Sequence, residues 1–170
     1  MIIDLANVGT VAKKIDAVFD PAEIDLDGEI VSLNGKAEFS GETRRLDGKA
    51  HVRGTIQVDG SIACTRCLEP ISRQFEIGFD DIFEESSDEN AEHDKELELE
   101  ELDVSLVNDG KIDLAEVVRE QVLLAIPEQI FCRDDCKGLC PKCGANLNLI
   151  DCMCADDDID PRWAALKSLK

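Results

Sequence analysis

Tyrosine is absent from this chain, tryptophan occurs once, and aromatic residues make up only 4% of its 170 positions. Proteins that stack single-stranded nucleic acid on one face need more rings than that, and a core built from these residues must be aliphatic. Positive charge is equally scarce: 18 Lys and Arg stand against 38 Asp and Glu, a net charge of -20. Coating duplex RNA draws on counterion release at a basic surface, so a chain of this charge can meet RNA only locally. Histidine occurs twice, His51 in an alternating stretch and His93 in an acidic run, and neither is placed to activate a nucleophile. A Walker loop, GxSxG and HExxH are all missing, and the acids are too many to single out a general acid and base. No apolar run is long enough to span a bilayer, and MIIDLANVGTVAKK lacks the basic start of a secretory signal. The expectation is a cytoplasmic, non-catalytic protein with no membrane association and no small-molecule substrate evident.

What the chain does have is cysteine. Cys64 and Cys67 form a CxxC, and six more follow between Cys132 and Cys154, including a CPxCG turn from Cys140 to Gly144. In a reducing cytosol such clusters bind metal more often than they crosslink. Tetrahedral zinc takes four thiolates, so eight cysteines predict one or two zinc ions. A CxxC turn lets both sulfurs reach one metal at about 2.3 Å, and Pro141 and Gly144 suit the entry and exit of the second such turn. Loop closure favours Cys140, Cys143, Cys152 and Cys154 as one local site, leaving Cys132 and Cys136 to join Cys64 and Cys67. A ribbon in which Cys64 and Cys67 face Cys140 and Cys143 is the competing scheme. Four thiolates can also hold iron. A thiol oxidoreductase is the rival in a different class, because a CxxC can be a redox pair when a helix N-terminus lowers the pKa of one thiol; here the motif follows a strand and meets other cysteines, which favours metal.

The rhythm of the chain places these cysteines. From Glu29 to Phe83 apolar and polar residues alternate, as half-buried strands require. Asn34-Gly35, Asp47-Gly48 and Asp59-Gly60 punctuate that region as turns or bulges. The run from Asp80 to Asp103 holds thirteen acids and one base, Lys95, and reads as a solvated loop. A helix is predicted over 113–126, with Asp113 and Glu116 as a capping box, an apolar stripe including Leu124, and Pro127 as its stop. A short terminal helix is expected from Asp160-Pro161, carrying Trp163, Leu166 and Leu169. The fold class is α+β: a mainly antiparallel sheet or open barrel with one packed helix, a cysteine-rich zinc-knuckle tail and a short C-terminal helix. Residues 1–127 form the β-rich domain, with an acidic loop at 80–103, and residues 128–170 a metal-binding tail packed on it as one unit.

The motifs together carry a resemblance. CTRCLEP, then KIDLAEVVREQVLLAIP, then CRDDCKGLCPKCGANLN and a terminal DPRWAALKSLK resemble the bacterial YceD family, also called large ribosomal RNA subunit accumulation protein. The likeness runs from Ala63 to Leu169; upstream there is only the generic strand pattern. Some members keep the first CxxC and lack the CPxCG tail, which implies that the tail's metal site is separable and supports the local grouping. The resemblance implies a role in accumulation of 23S rRNA, and with it binding of rRNA or of a large-subunit ribosomal protein. It brings no catalytic residues. Between Lys36 and Arg73 seven bases face five acids, a weakly basic region in an acidic chain. The candidate RNA contacts are therefore Arg44, Arg45, Arg53, Arg66 and Arg73 on the sheet, with Arg133, Lys137 and Lys142 beside the cysteines. The acidic run suits a basic protein partner, and a zinc-held adapter between proteins that never touches RNA is the alternative function.

Overall fold

The computed structural model describes residues 1–26, 28, 31–86, 103–154 and 162. Glu29, Ile30, His93 and the expected terminal helix with Trp163, Leu166 and Leu169 lie outside the described residues, as does most of the acidic run.

The strands are β1 (Ile2–Asp4), β2 (Lys13–Phe19), β3 (Val31–Leu33), β4 (Ala37–Leu46), β5 (Lys49–Ala63), β6 (Pro70–Glu85), β7 (Val104–Val107) and β8 (Lys111–Asp113), followed by helix α1 (Leu114–Ala125). Six of them make one open sheet in the order β2-β4-β5-β6-β7, with β3 also paired to β5. Every pairing is antiparallel except β6 with β7. The expected α+β class, an open and mainly antiparallel sheet with one main helix, is what the chain adopts.

Period-two alternation builds the sheet as the sequence suggests, because Val52, Ile56, Val58 and Ile62 of β5 all turn inward and are buried. Asp47 and Gly48 both take positive φ, 49° and 84°, and close a two-residue hairpin between β4 and β5. Asp59-Gly60 is no turn; it lies inside β5. Gly60 is paired with Leu33 on one side and Arg73 on the other, and two ladders outweigh a local turn preference. Asn34-Gly35 falls in a bulge: residues 34–37 stand against only Val58 and Asp59, so β3 and β4 form one interrupted strand along β5.

The acidic loop begins later than expected. Residues 80–85 belong to β6, where Phe83 is buried and pulls its acidic neighbours into the strand. Their charges find partners there: Glu84 meets Lys49 at 3.4 Å, Asp80 meets His51 at 3.8 Å, and Asp81 accepts from Gln121 at 2.9 Å. Just past the far bound of the run Val104 opens β7.

Asp113 caps α1 by accepting from the Ala115 amide at 3.0 Å. Glu116 pairs with Arg119 instead of turning back to complete a box. Leu114, Val117, Val118 and Val122 pack the helix on the core side of the sheet, whereas Leu124, expected in that stripe, is 77% exposed. β1 and β8 pair beside the helix start and join the chain's first residues to the rest. No helix among the described residues is long and apolar enough to cross a membrane.

Candidate metal centre

The hairpin of β5 and β6 is the longest feature of the fold, and its 15-residue first strand reaches roughly 50 Å. Ala63 still pairs with Pro70, so residues 64–69 are the hairpin tip, and that tip is the first CxxC. Within it the Leu68 amide donates to the Cys64 carbonyl at 2.9 Å and the Cys64 amide to the Glu69 carbonyl at 2.8 Å. The second turn repeats this pattern: the Gly144 amide donates to the Cys140 carbonyl at 2.9 Å and the Cys140 amide to Ala145 at 2.8 Å. Both turns leave through a positive φ, 61° at Leu68 and 71° at Gly144. The two knuckles are thus built alike on unrelated supports, a sheet and a tail.

After α1 the chain returns to the hairpin tip. The Thr65 amide and hydroxyl both donate to the Ile130 carbonyl, at 2.9 and 3.0 Å. The Arg66 guanidinium lies 3.9 Å over the Phe131 ring and donates to the Cys136 carbonyl at 3.0 Å. Gly138 passes so close to this turn that a Cβ would sit 3.0 Å from the Arg66 carbonyl oxygen, and its φ of 77° is a conformation glycine favours.

These contacts gather the thiols into two sets of four: Cys64, Cys67, Cys132 and Cys136, and Cys140, Cys143, Cys152 and Cys154. Within each set all sulfurs lie within 4.8 Å of one another. That is the grouping loop closure favours; the facing ribbon does not form. Four sulfurs at about 2.3 Å from one tetrahedral ion stand about 3.8 Å apart, and here Cys64 and Cys136 are 3.9 Å apart, Cys67 and Cys132 3.6 Å. The residues therefore fit a single ion per set, a fit that a disulfide-length contact would not give. Three thiols of the first set are buried and only Cys140 of the second is.

Electrostatics prepare both sets in the same way. Burial opposes ionisation of Cys64, but amides of Cys67, Cys132 and Arg66 prevail and bring its thiol down to about 6. The amides of Cys143 and Lys142 do the same for Cys140, also to about 6. Burial and neighbouring thiols push Cys132 up to about 12, and the Cys143 thiol followed by burial does so for Cys154. Burial resists ionisation at Cys136 too, yet the Asn148 side chain and the Gly138 amide lower it. Each set thus has one thiol favoured in its ionised form, Cys64 or Cys140, beside others favoured as the thiol, an arrangement that could offer a metal its first thiolate.

The candidate basic residues do not share one face. Arg44 and Arg53 lie on the open side of the sheet, and the adjacent Arg45 on the other, where it donates to carbonyls of Val8, Gly48 and Leu5 and pins the N-terminal segment. Arg53 is bound to Glu42 at 2.7 Å, Arg44 keeps a buried Nε without a hydrogen-bond partner, and Arg133 pairs with Asp135 at 3.3 Å. Arg66 clamps the knuckle, and Lys142 sits inside the second one, donating its amide to Cys140. Arg73 and Lys137 are exposed and make no ion pair among the described residues. Across β2, β4, β5 and β6 the open face sets Lys14, Arg44, Lys49 and Arg53 against Asp16, Glu38, Glu42, Asp59, Glu76, Asp80 and Glu84, and is acidic on balance. Sequence reasoning missed Asn146 and Asn148, whose side chains reach Glu69 and Cys136; only their place in GANLN marked them.

No solved structure matches this chain. It is 29% identical over 173 residues to an uncharacterized protein of Mycobacterium tuberculosis, covering 98% of this chain and 79% of that one. It is 30% identical over 154 residues to the uncharacterized Bacillus subtilis protein YlbN, covering 83% and 85%. A shorter likeness, 38% over 60 residues, covers 35% of this chain and 19% of an Arabidopsis thaliana protein named large ribosomal RNA subunit accumulation protein YCED homolog 1, chloroplastic. The family model described as large ribosomal RNA subunit accumulation protein YceD matches residues 52–170, which include all eight cysteines. On that match the chain belongs to the YceD family.

Proposed function

We propose that this chain is a non-catalytic factor supporting accumulation of 23S rRNA and assembly of the large ribosomal subunit, held in shape by zinc at both thiol sets. The observation that carries this reading is that the family match spans the whole thiol-bearing part of the chain. Zinc suits sulfurs that all lie within reach of one ion, and the first set would tie the tail to the hairpin tip. The body to residue 127 and the tail beyond it then work as one unit. The first CxxC lies on a hairpin tip and not at a helix N-terminus, which speaks for ligand over redox pair.

RNA contact is best placed at the thiol end, where Arg73 and Lys137 make no ion pair among the described residues and Arg66, Arg133 and Lys142 stand near the cysteines in the chain. Arg45 is a poor probe of it, because its loss would also release the N-terminal segment. A second reading, docking of a basic ribosomal protein without RNA contact, is favoured by the acidic open face of the sheet. Crosslinking the tagged chain in growing cells, with RNA sequencing and mass spectrometry from one sample, tests both. The expected result is 23S rRNA crosslinks that fall when Arg73 and Lys137 are replaced by Glu. Protein partners that survive nuclease, with no rRNA recovered, would favour the adapter; a sample with neither would sink both.

A further inference from the structure

We infer that the two thiol sets are coupled through Asn148, so that filling the second set raises the affinity of the first for metal. The inference rests on the reading that both sets hold metal. Asn146 and Asn148 lie between Cys143 and Cys152, inside the loop that the second set closes. Their side chains serve the first. Asn148 Nδ2 donates to Cys136 Sγ at 3.3 Å, and Asn146 Nδ2 donates to Glu69 Oε1 at 3.3 Å, two residues beyond Cys67.

The amide that faces the sulfur has no freedom to turn. Asn148 Oδ1 accepts from the Lys137 amide at 2.8 Å, so the nitrogen must point to Cys136. The same nitrogen also donates to Asn146 Oδ1 at 2.9 Å, and the Asn148 backbone amide meets that oxygen at 3.0 Å. Donor and acceptor capacity are both used. The loop is laid on the first set by backbone contacts as well: the Leu147 amide donates to Gly138 at 2.9 Å, and Leu139 bridges to Asn146.

A hydrogen bond donated to a ligand sulfur favours its ionised form and fixes its direction, and loss of such a supporting partner lowers metal affinity about 10- to 100-fold. When the second set is empty, the loop from Cys143 to Cys152 loses that closure, and only its contacts with Lys137, Gly138 and Leu139 remain to hold Asn148 against Cys136. The coupling is reciprocal, so emptying the first set weakens the second by the same factor.

Zinc affinity of the full chain, measured under reducing conditions by competition with a chromophoric chelator, tests this. The variants are Asn148→Leu, which keeps all eight thiols, Cys152→Ser with Cys154→Ser, and the combination. Cobalt(II) spectra report whether each set remains four-coordinate. The expected result is a loss of about 10-fold or more at the first set for Asn148→Leu, a similar loss when the second set is disabled, and little further loss in the combination. First-set affinity within about 2-fold of the parent in every variant would show independent sites and overturn the inference. A parent chain that takes up no metal would overturn the metal reading itself, and the inference with it.

Discussion

Leu68 occupies a place that glycine fills in the twin knuckle. Both residues follow the second cysteine of a CxxC and both take a left-handed conformation, φ 61° for Leu68 and 71° for Gly144. For an L-residue that conformation costs about 1–2 kcal/mol, and Leu68 recovers little of it by burial because it is 62% exposed. Glycine would remove the strain but lose more backbone entropy on folding, about 0.5–1 kcal/mol. Leu68→Gly is therefore expected to stabilise the metal-loaded protein by up to about 1 kcal/mol, read as a higher urea midpoint. Leu68→Val, with a branched Cβ in the same conformation, should lower it. A fall in midpoint with glycine would mean that the leucine side chain contributes packing that its exposure does not suggest.

Among the described residues helix α1 meets the sheet through one side-chain hydrogen bond in an otherwise apolar seam, Gln121 to Asp81. Burial raises the Asp81 carboxyl above the usual range and the neighbouring Asp80 adds to this, while Gln121 opposes them. An acid whose folded-state value is raised contributes stability that is fully present below its unfolded value of 3.8 and is lost as pH rises through the folded one. At neutral pH the ionised carboxylate thus weakens this seam. Asp81→Asn keeps an acceptor for Gln121 and removes the charge, so its advantage over the parent in urea midpoint should be largest near pH 7 and shrink toward pH 4. A pH-independent difference would show that Asp81 does not titrate with folding. This element also marks what a sequence discloses. Asp113, Pro127 and the Leu114, Val117, Val118 and Val122 spacing are local signals, and the helix appears where they put it. Its neighbours β1 and β8 are three residues each and join Ile2–Asp4 to Lys111–Asp113, too short for a period and too distant for a local cue. The cysteine sets were legible because knuckle spacing is local and loop length ranks the partners. Asn148 was not, because a side chain that crosses from one loop to the neighbouring site leaves no periodic trace.

Taken as a whole the molecule distributes its charge unevenly between the open sheet face and the segments around the thiols. Arg66, Arg133, Lys137 and Lys142 stand near the thiols in the chain, whereas the open face of the sheet is acidic on balance. Adjacent residues in a strand face opposite ways, which splits Arg44 from Arg45 and denies the sheet the basic surface that their pairing in sequence suggests. With most of the described arginines committed to carbonyls or carboxylates, the RNA contact proposed at the thiol end rests on Arg73 and Lys137, which make no ion pair among the described residues. Each phosphate neutralised contributes about -0.7 to -0.9 to the slope of log affinity against log salt, so two contacts predict a slope no steeper than roughly -2. Binding of the metal-loaded chain to purified 23S rRNA over a salt series should show that shallow dependence, and Arg73→Glu with Lys137→Glu should abolish it. A slope near -5 would require a broad cationic footprint, which a chain of net charge -20 with its arginines so engaged does not present.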